Sequence, residues 1–600
     1  MRKEHLKEGL GKLIFGTAAA VCSLSVLAIF VFLIVKGLPA LQKIGIRDFL
    51  LGTVWSPDRH DTYRAPLSGY YGIFTMIVGT LAVTAGALLI GGVLGYFTAV
   101  FLVFFCPKSL RGSFAAVIHL LAGIPSVVYG FFGISFLLPL ISRIAPNNGS
   151  GLFAGSLILG VMILPTVVAV SQSALEAVPT GYYDASTALG ASHTQTVFRV
   201  MVPAARAGIT ASLILGIGRA LGETMAIVMV AGNSPTYPKG FFHSFRVLTA
   251  NIVMEMGYAG EVQEGALVAT GVVLLVFVFL INLGFALLSG RGDKKRSAKK
   301  AYMRQRARPR LPAYFPQTTA LGKLFSVFSA FFCGAILLLI LGFIFVKGVP
   351  TLLSDRHLLF GKYEFGGERI TVFPSLIATL MAVVLSLAVA VPLGVMTAIF
   401  LHEYTQKKSF FVRLIRGAVD TLGGVPSIVY GLFGFIAFVP IFGGSSSVLA
   451  GSLTVSLMLL PTVVRTTEES LAAVPEGLRE GSLALGAGKL RTIRRLVLPS
   501  ALSGIFSGVI LSIGRVVGES APFLYTMGSV ITAIPRSYLE SGATLSVALY
   551  QLAGEGWHIK EAYATAVVLI LLVLGLNLSA RSALAHLRKK TTQGKERRSR

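Results

Sequence analysis

Six hundred residues, 54% of them hydrophobic and only 13% charged, with a mean hydropathy of +0.76, exclude a soluble globular chain. The net charge of +27 is concentrated: of 53 Lys and Arg, 4 lie in residues 1–12, 10 in 291–310 and 8 in 581–600. These runs flank apolar stretches of about 20 residues, each able to cross roughly 30 Å of hydrocarbon, so they read as anchors on the inner face of a membrane. A nucleic-acid patch is the weaker reading of such a charge, and no nucleic-acid partner is expected. Cys22, Cys106 and Cys333 offer neither a disulfide frame nor a metal-ligand spacing.

In chain order, a short basic segment leads into a first span over 13–35, too long for the core of a cleavable signal peptide and read as a retained helix. A polar outside loop, 37–70, is followed by spans over 72–102, 115–140, 152–173, 206–231 and 264–288. A polar segment, 174–205, separates the fourth span from the fifth. Residues 291–318 carry prolines and basic residues without apolar period and read as a flexible cytoplasmic tether. Six further spans then repeat the order, the first at 323–346 and the last at 561–580. Each half has an even number of spans. Both ends and the tether therefore fall on one side, the cytoplasm.

The two halves are copies. Residues 176–223 match 472–519 without a gap at a constant offset of 296, placing Pro179 on Pro475, Gly190 on Gly486, Arg219 on Arg515 and Glu223 on Glu519. IPSVVYGFFG at 124–133 recurs as VPSIVYGLFG at 425–434. A parallel repeat of this kind implies a twofold axis along the membrane normal, with a path between the halves. Two domains follow, 1–290 and 319–600, joined by 291–318.

The segments 174–205 and 467–501 are too polar to span. AVPxG opens each, and an ALGA turn follows; prolines suited to a first helical turn and glycines suited to tight turns predict two short helices projecting as a docking knob. A plain connecting loop would have no reason to repeat so closely.

At this point the chain resembles the permease subunits of bacterial ABC importers, whose conserved cytoplasmic EAA loop docks into the ATP-hydrolysing subunit. The residues that match are Glu176, Ala177 and Gly181 in the first half and Ala473 and Gly477 in the second; Gly190 and Gly486, in the ALGA turns, are further candidate docking residues. Where the family has its glutamate, the second half has Ala472, and Arg479 with Glu480 is the expected substitute. More closely, IPSVVYGFFG and GRALGETMAI look like the C-type permease of the phosphate-specific (Pst) system. VPSIVYGLFG, LPTVVRTTEESL and GRVVGESAP look like its A-type permease. The resemblance covers both halves. It implies an all-α membrane protein of about 12 transmembrane helices in two tandem six-helix permease repeats, in the cytoplasmic (inner) membrane of a bacterium. It further implies two copies of a cytoplasmic ATPase, an external phosphate-binding protein, phosphate as cargo, and a fusion of subunits.

Four charges fall inside apolar spans: Arg219, Glu223, Arg515 and Glu519. Each costs roughly 2.5–3.5 kcal/mol on insertion scales, so a functional role is the default. Spaced four apart, Arg and Glu are expected to share a helix face and pair; the arginines can face one cavity and take a tetrahedral oxyanion in their planar fork, or the pairs can simply hold the fold. Gly218 with Gly222, and Gly514 with Gly518, are expected to let helices approach closely. Arg465 is either part of the path or an interfacial arginine that snorkels. Ser126, Tyr129, Ser427 and Tyr430 either line the path or brace a kink at Pro125 and Pro426. No GxxxxGK[ST] cradle is present, since GAGKL at 486–490 has the wrong frame, and no metal motif, cofactor or nucleophile–base set is implied. The energy source is expected on another chain, and the membrane lipid is the remaining partner. The alternatives are an ABC permease for sulfate, molybdate or tungstate, and a secondary transporter, which would need no ATPase dock.

Overall fold

The computed structural model describes residues 2–57, 70–145, 148–293, 316–361, 370–405, 410–531, 533–556 and 558–599. Helix satisfies every backbone donor within its own segment, the condition for crossing hydrocarbon. Among the described residues nine helices are long and apolar enough to cross unbroken, and three bent pairs bring the number to twelve. One two-stranded pairing, Trp55–Ser56 with Tyr70–Tyr71, closes the base of the loop between the first and second spans; residues 58–69 of that loop lie outside the described residues.

Each half repeats one plan. A long arm helix comes first, Arg2–Ile44 or Pro316–Ser354. The second span is Phe74–Phe105 or Phe373–Tyr404. The third is broken. Lys108–Gly123 turns by 92° into Ser126–Ile141, and Ile415–Gly423 turns by 107° into Ser427–Ile441. The cause is local: Pro125 and Pro426 lack an N–H to continue the helix, and the residue before a proline is driven to extended backbone, as Ile124 is at ψ 126°. The fourth span is unbroken, Leu152–Glu176 or Val448–Ala472. The fifth differs between halves: His193–Ala204 bends by 69° into Arg206–Gly222, whereas Lys489–Gly518 runs through.

Two sequence expectations need correction here. The fifth span, read over 206–231 in the first half, stops at Gly222, and its copy in the second half stops at Gly518; separate short helices, Met225–Val230 and Ala521–Thr526, follow. The tether read over 291–318 is helical at both of its edges, to Asp293 and from Pro316; its remainder, 294–315, lies outside the described residues. Between the fifth and sixth spans each half also inserts a short helix, Leu248–Glu255 or Leu545–Glu555, whose leading residues are fully buried.

The arms cross over. The Arg2–Ile44 arm packs its outer part on Glu261–Asp293 of its own half and its inner part on Phe373–Ile399 and Phe410–Gly423 of the other. Phe15 stacks at a tilt on Tyr404, 5.6 Å between ring centres. The Pro316–Ser354 arm does the same in reverse, lying on Val93–Val100 and on Ile559–Ser599. A Cβ on Gly11 would sit 3.1 Å from the Leu490 side chain, and one on Gly322 would sit 2.8 Å from Phe198. The same LGK triplet, at 10–12 and 321–323, thus meets the knob segment of the opposite half.

Candidate functional site

The breaks after Gly222 and Gly518 form the centre of the molecule. Glu223 and Glu519 stand just past a helix end in extended backbone, φ −72°, ψ 137° and φ −80°, ψ 136°. They are therefore not the fourth residue along an unbroken helix, and the expected pairing is met on one side only. Arg515 Nε lies 3.8 Å from Glu519 Oε1, while no Arg219–Glu223 ion pair within 4.0 Å occurs among the described residues. Both arginines instead donate across to the fourth span: Arg219 Nη1 to Thr166 Oγ1 at 2.9 Å and Arg515 Nη1 to Thr462 Oγ1 at 3.2 Å. Thr166 and Thr462 were missed in the sequence, though the LPTVV repeat that carries them was in view.

The two carboxylates lie near the broken third span. Ser126 lies beside Glu223 and Ser427 beside Glu519, and the Ala226 N–H donates to Glu223 Oε1 at 3.4 Å. The carbonyls at the two breaks are satisfied by the inserted helices, with Thr249 Oγ1 donating to Glu223 O at 2.9 Å and Ser546 Oγ to Glu519 O at 2.6 Å. Buried backbone oxygens need such donors. Glu519 feels not only Arg515 but also Glu223 and Arg219, so the four charges meet between the halves.

The contact across the axis is reciprocal. A Cβ on Gly222 would meet Pro426 Cα at 3.5 Å, and one on Gly518 would meet Pro125 Cα at 3.6 Å. These glycines thus face the opposite half's proline turn. The expected GxxxG approach of two helices is not what they make, since no atom within 4 Å of a Cβ would meet Gly218. The tight seam of the fifth span against the fourth falls elsewhere: a Cβ on Gly504 would be 2.0 Å from Ser470 Oγ, and one on Gly208 would be 2.3 Å from Ala174 Cβ.

Tyr129 and Tyr430 are buried, with their hydroxyls donating to Leu121 O and Leu422 O at 2.8 Å each. This is the bracing position: each ties the two arms of a broken span together. Arg465 lies three residues past Thr462, on the same face and one turn nearer the knob, largely exposed and paired with Glu469 at 3.2 Å. On the far side of the breaks the Tyr525 hydroxyl donates to the Val253 carbonyl of the other half.

The knobs are the short helices expected. Thr180–Ala188 and Glu476–Ala484 each end in a turn at Gly190 (φ 82°) or Gly486 (φ 80°), a backbone that glycine adopts without strain. No atom within 4 Å would meet a Cβ on Gly181 or Gly477. Leu189 and Leu485 project almost fully into solvent, and Glu480 is exposed. Ala177 and Ala473 cap the fourth spans.

Two candidate docking residues are engaged by side chains of their own half. Glu176 pairs with Arg111 at 2.6 Å, tying the knob to the third span. In the second half, where Ala472 replaces that glutamate, Glu468 one turn earlier pairs with Arg416 at the same distance. Arg479 is also internal. It contacts Glu403 at 3.0 Å and donates to the Val474 and Leu471 carbonyls at 2.7 Å each. Its first-half counterpart is Tyr183, which reaches the equivalent turn through His193 and Phe104 O. Arg479 is thus held within the fold, while Glu480 beside it is exposed.

Two six-span halves, broken helices meeting at a charged centre and paired exposed knobs define a membrane permease of duplicated build. The chain belongs to the family of binding-protein-dependent transport system inner membrane components, whose model matches residues 91–293 and again 390–593. It is similar to a phosphate transport system permease protein PstA homolog of Mycoplasma pneumoniae, 28% identical over 80% of each chain. The probable ABC transporter permease protein YqgH of Bacillus subtilis is 37% identical over 48% of this chain and 93% of its own. PstA of Mycobacterium leprae, named a phosphate transport system permease protein, is 42% identical over 36% of this chain and 70% of its own.

Proposed function

We propose that this chain is the membrane permease of an ATP-driven importer of inorganic phosphate. In that reading one fused chain supplies both halves of the path, with both termini and both knobs in the cytoplasm of a bacterial cell. Two copies of a cytoplasmic ATPase seat on the knobs, and an external binding protein delivers the anion. The observation that carries the reading is the charged centre, with Arg219 held by Thr166 and Arg515 held by Thr462 beside the breaks where the halves meet. A guanidinium stays charged at any physiological pH and offers parallel donors to a tetrahedral oxyanion. The names of the similar proteins favour phosphate among such anions.

In this mechanism the anion passes between the two arginines. Glu223 and Glu519, beside Ser126 and Ser427, can accept a hydrogen bond from the proton that phosphate keeps near neutral pH. They repel a fully ionised anion such as sulfate. Closure of the ATPase pair on the knobs moves the fourth and fifth spans that flank them; in the second half the last part of the knob, from Lys489, runs unbroken into the fifth span.

The test is uptake of labelled phosphate into vesicles holding this chain, its ATPase and its binding protein. ATP-dependent phosphate uptake that sulfate and molybdate fail to compete supports the reading. Uptake of another oxyanion with none of phosphate overturns the cargo, and uptake without the ATPase overturns the class.

A further inference from the structure

We propose that Glu8, on the arm of the first half, is the helix cap of the second half's knob and sets its position for the ATPase. This rests on the reading of the knobs as ATPase docks.

The two knobs start their fifth helices differently. In the first half Ser192 makes a reciprocal capping box with Gln195, each side chain bonding the other's backbone N–H. The equivalent residue of the second half is Gly488, which has no side chain to cap with, and Arg491 stands where Gln195 does. Yet the helix it opens, Lys489–Gly518, is 30 residues long and carries Arg515 in its last turn, with Glu519 just beyond its end. Its cap comes from 481 residues away: the Lys489 N–H donates to Glu8 Oε1 at 2.6 Å. A carboxylate at a helix start satisfies a free donor and suits the helix dipole.

The glycine is explained by the same contact. Gly488 has φ −66° and ψ 158°, which any residue adopts, so backbone strain does not require it. A Cβ there would lie 2.5 Å from Glu8 Oε1. The surrounding joint holds the arm in register: Gly11 lies against Leu490, Phe15 against Tyr404, and the Lys489 ammonium sits 5.3 Å from the Tyr404 ring centre. Glu403, next to Tyr404, holds Arg479 of the knob. The second arm has Thr319 at the position that matches Glu8, opposite a knob that caps itself with Ser192. Glu8 is thus a positioning residue, acting on the ATPase dock through the Lys489 helix.

The test uses the full chain in membranes as Glu8→Ala, Gly488→Ser and the double variant. Amide hydrogen exchange in peptides covering 486–492 and capture of the ATPase are both measured. Glu8→Ala is expected to speed exchange at Lys489 about fivefold and to weaken capture. Gly488→Ser alone is expected to stay near the parental exchange rate, because the serine caps the helix as it displaces Glu8. The double variant, with a serine cap as in the first half, is expected to recover both. Unchanged exchange in Glu8→Ala, or a double variant no better than Glu8→Ala, overturns the proposal. Gly477→Asp serves as the separate control: if it too leaves capture intact, the docking reading fails, and the exchange data judge the cap by themselves.

Discussion

Replacing Arg515 with alanine removes one of two fixed positive charges at the centre. At about 4 Å and an effective dielectric near 20, a guanidinium and an anion attract by about 4 kcal/mol. Arg515 is a third exposed, and Glu519 at 3.8 Å already offsets part of its charge. Halving the attraction leaves about 2 kcal/mol, or roughly 30-fold in transport rate. The double variant Arg219→Ala, Arg515→Ala compounds this to about 1,000-fold. Arg515→Lys keeps the charge but not the fork that reaches Thr462, and a loss of about fivefold is expected. The assay is ATP-driven phosphate uptake in vesicles, with chain abundance and ATPase capture measured alongside. Uptake at the parental rate by the double variant would refute the reasoning and leave the arginines as ties between the fourth and fifth spans.

Gly181→Asp and Gly477→Asp place bulk and charge on open knob faces, so each is expected to insert normally and to lose ATPase capture; normal capture by both removes the docking assignment. Arg479→Ala leaves the buried Glu403 carboxylate without its partner, a loss of about 3 kcal/mol at the second knob; faster proteolysis within 467–501, recovered by adding Glu403→Gln, checks it. Cleavage within 294–315 in assembled membranes is expected to leave uptake largely intact, because each arm already lies on the opposite half; halves that separate on cleavage would contradict this.

The duplication, the number of spans, the breaks at Pro125 and Pro426 and the knobs were legible because each has a one-dimensional signal: a repeat, an apolar length, a proline, a glycine turn. The centre was legible in part. Arg219 and Arg515 stood out as charges in apolar sequence, but the helix end at Gly222 was not visible, since GRALGETMAI reads as continuous helix. The position of Glu223 depends on contacts from other elements, Ser126 on one side and Thr249 on the other, and neither is near it in sequence. Thr166 and Thr462 were hidden for a related reason. A threonine in an apolar run is ordinary, and only the arginine opposite gives it a task. The internal contacts of Arg479 were not legible, because a charge in a polar loop gives no sign of the Glu403 carboxylate beneath it.

The crossed arms set a timetable for synthesis. The inner part of the Arg2–Ile44 arm rests on residues near 373–423 and on Leu490. At translation rates of about 5–20 residues per second, roughly 20–90 s pass between the arm's emergence and the arrival of those partners. During that interval its inner surface faces lipid or another chain. Its outer part can settle earlier on Glu261–Asp293, pinned where Gly37 lies against Ala269. A single reading frame makes the late partner certain to arrive beside the waiting arm. When two separate chains supply the halves, that meeting depends on diffusion in the membrane and on matched amounts of each.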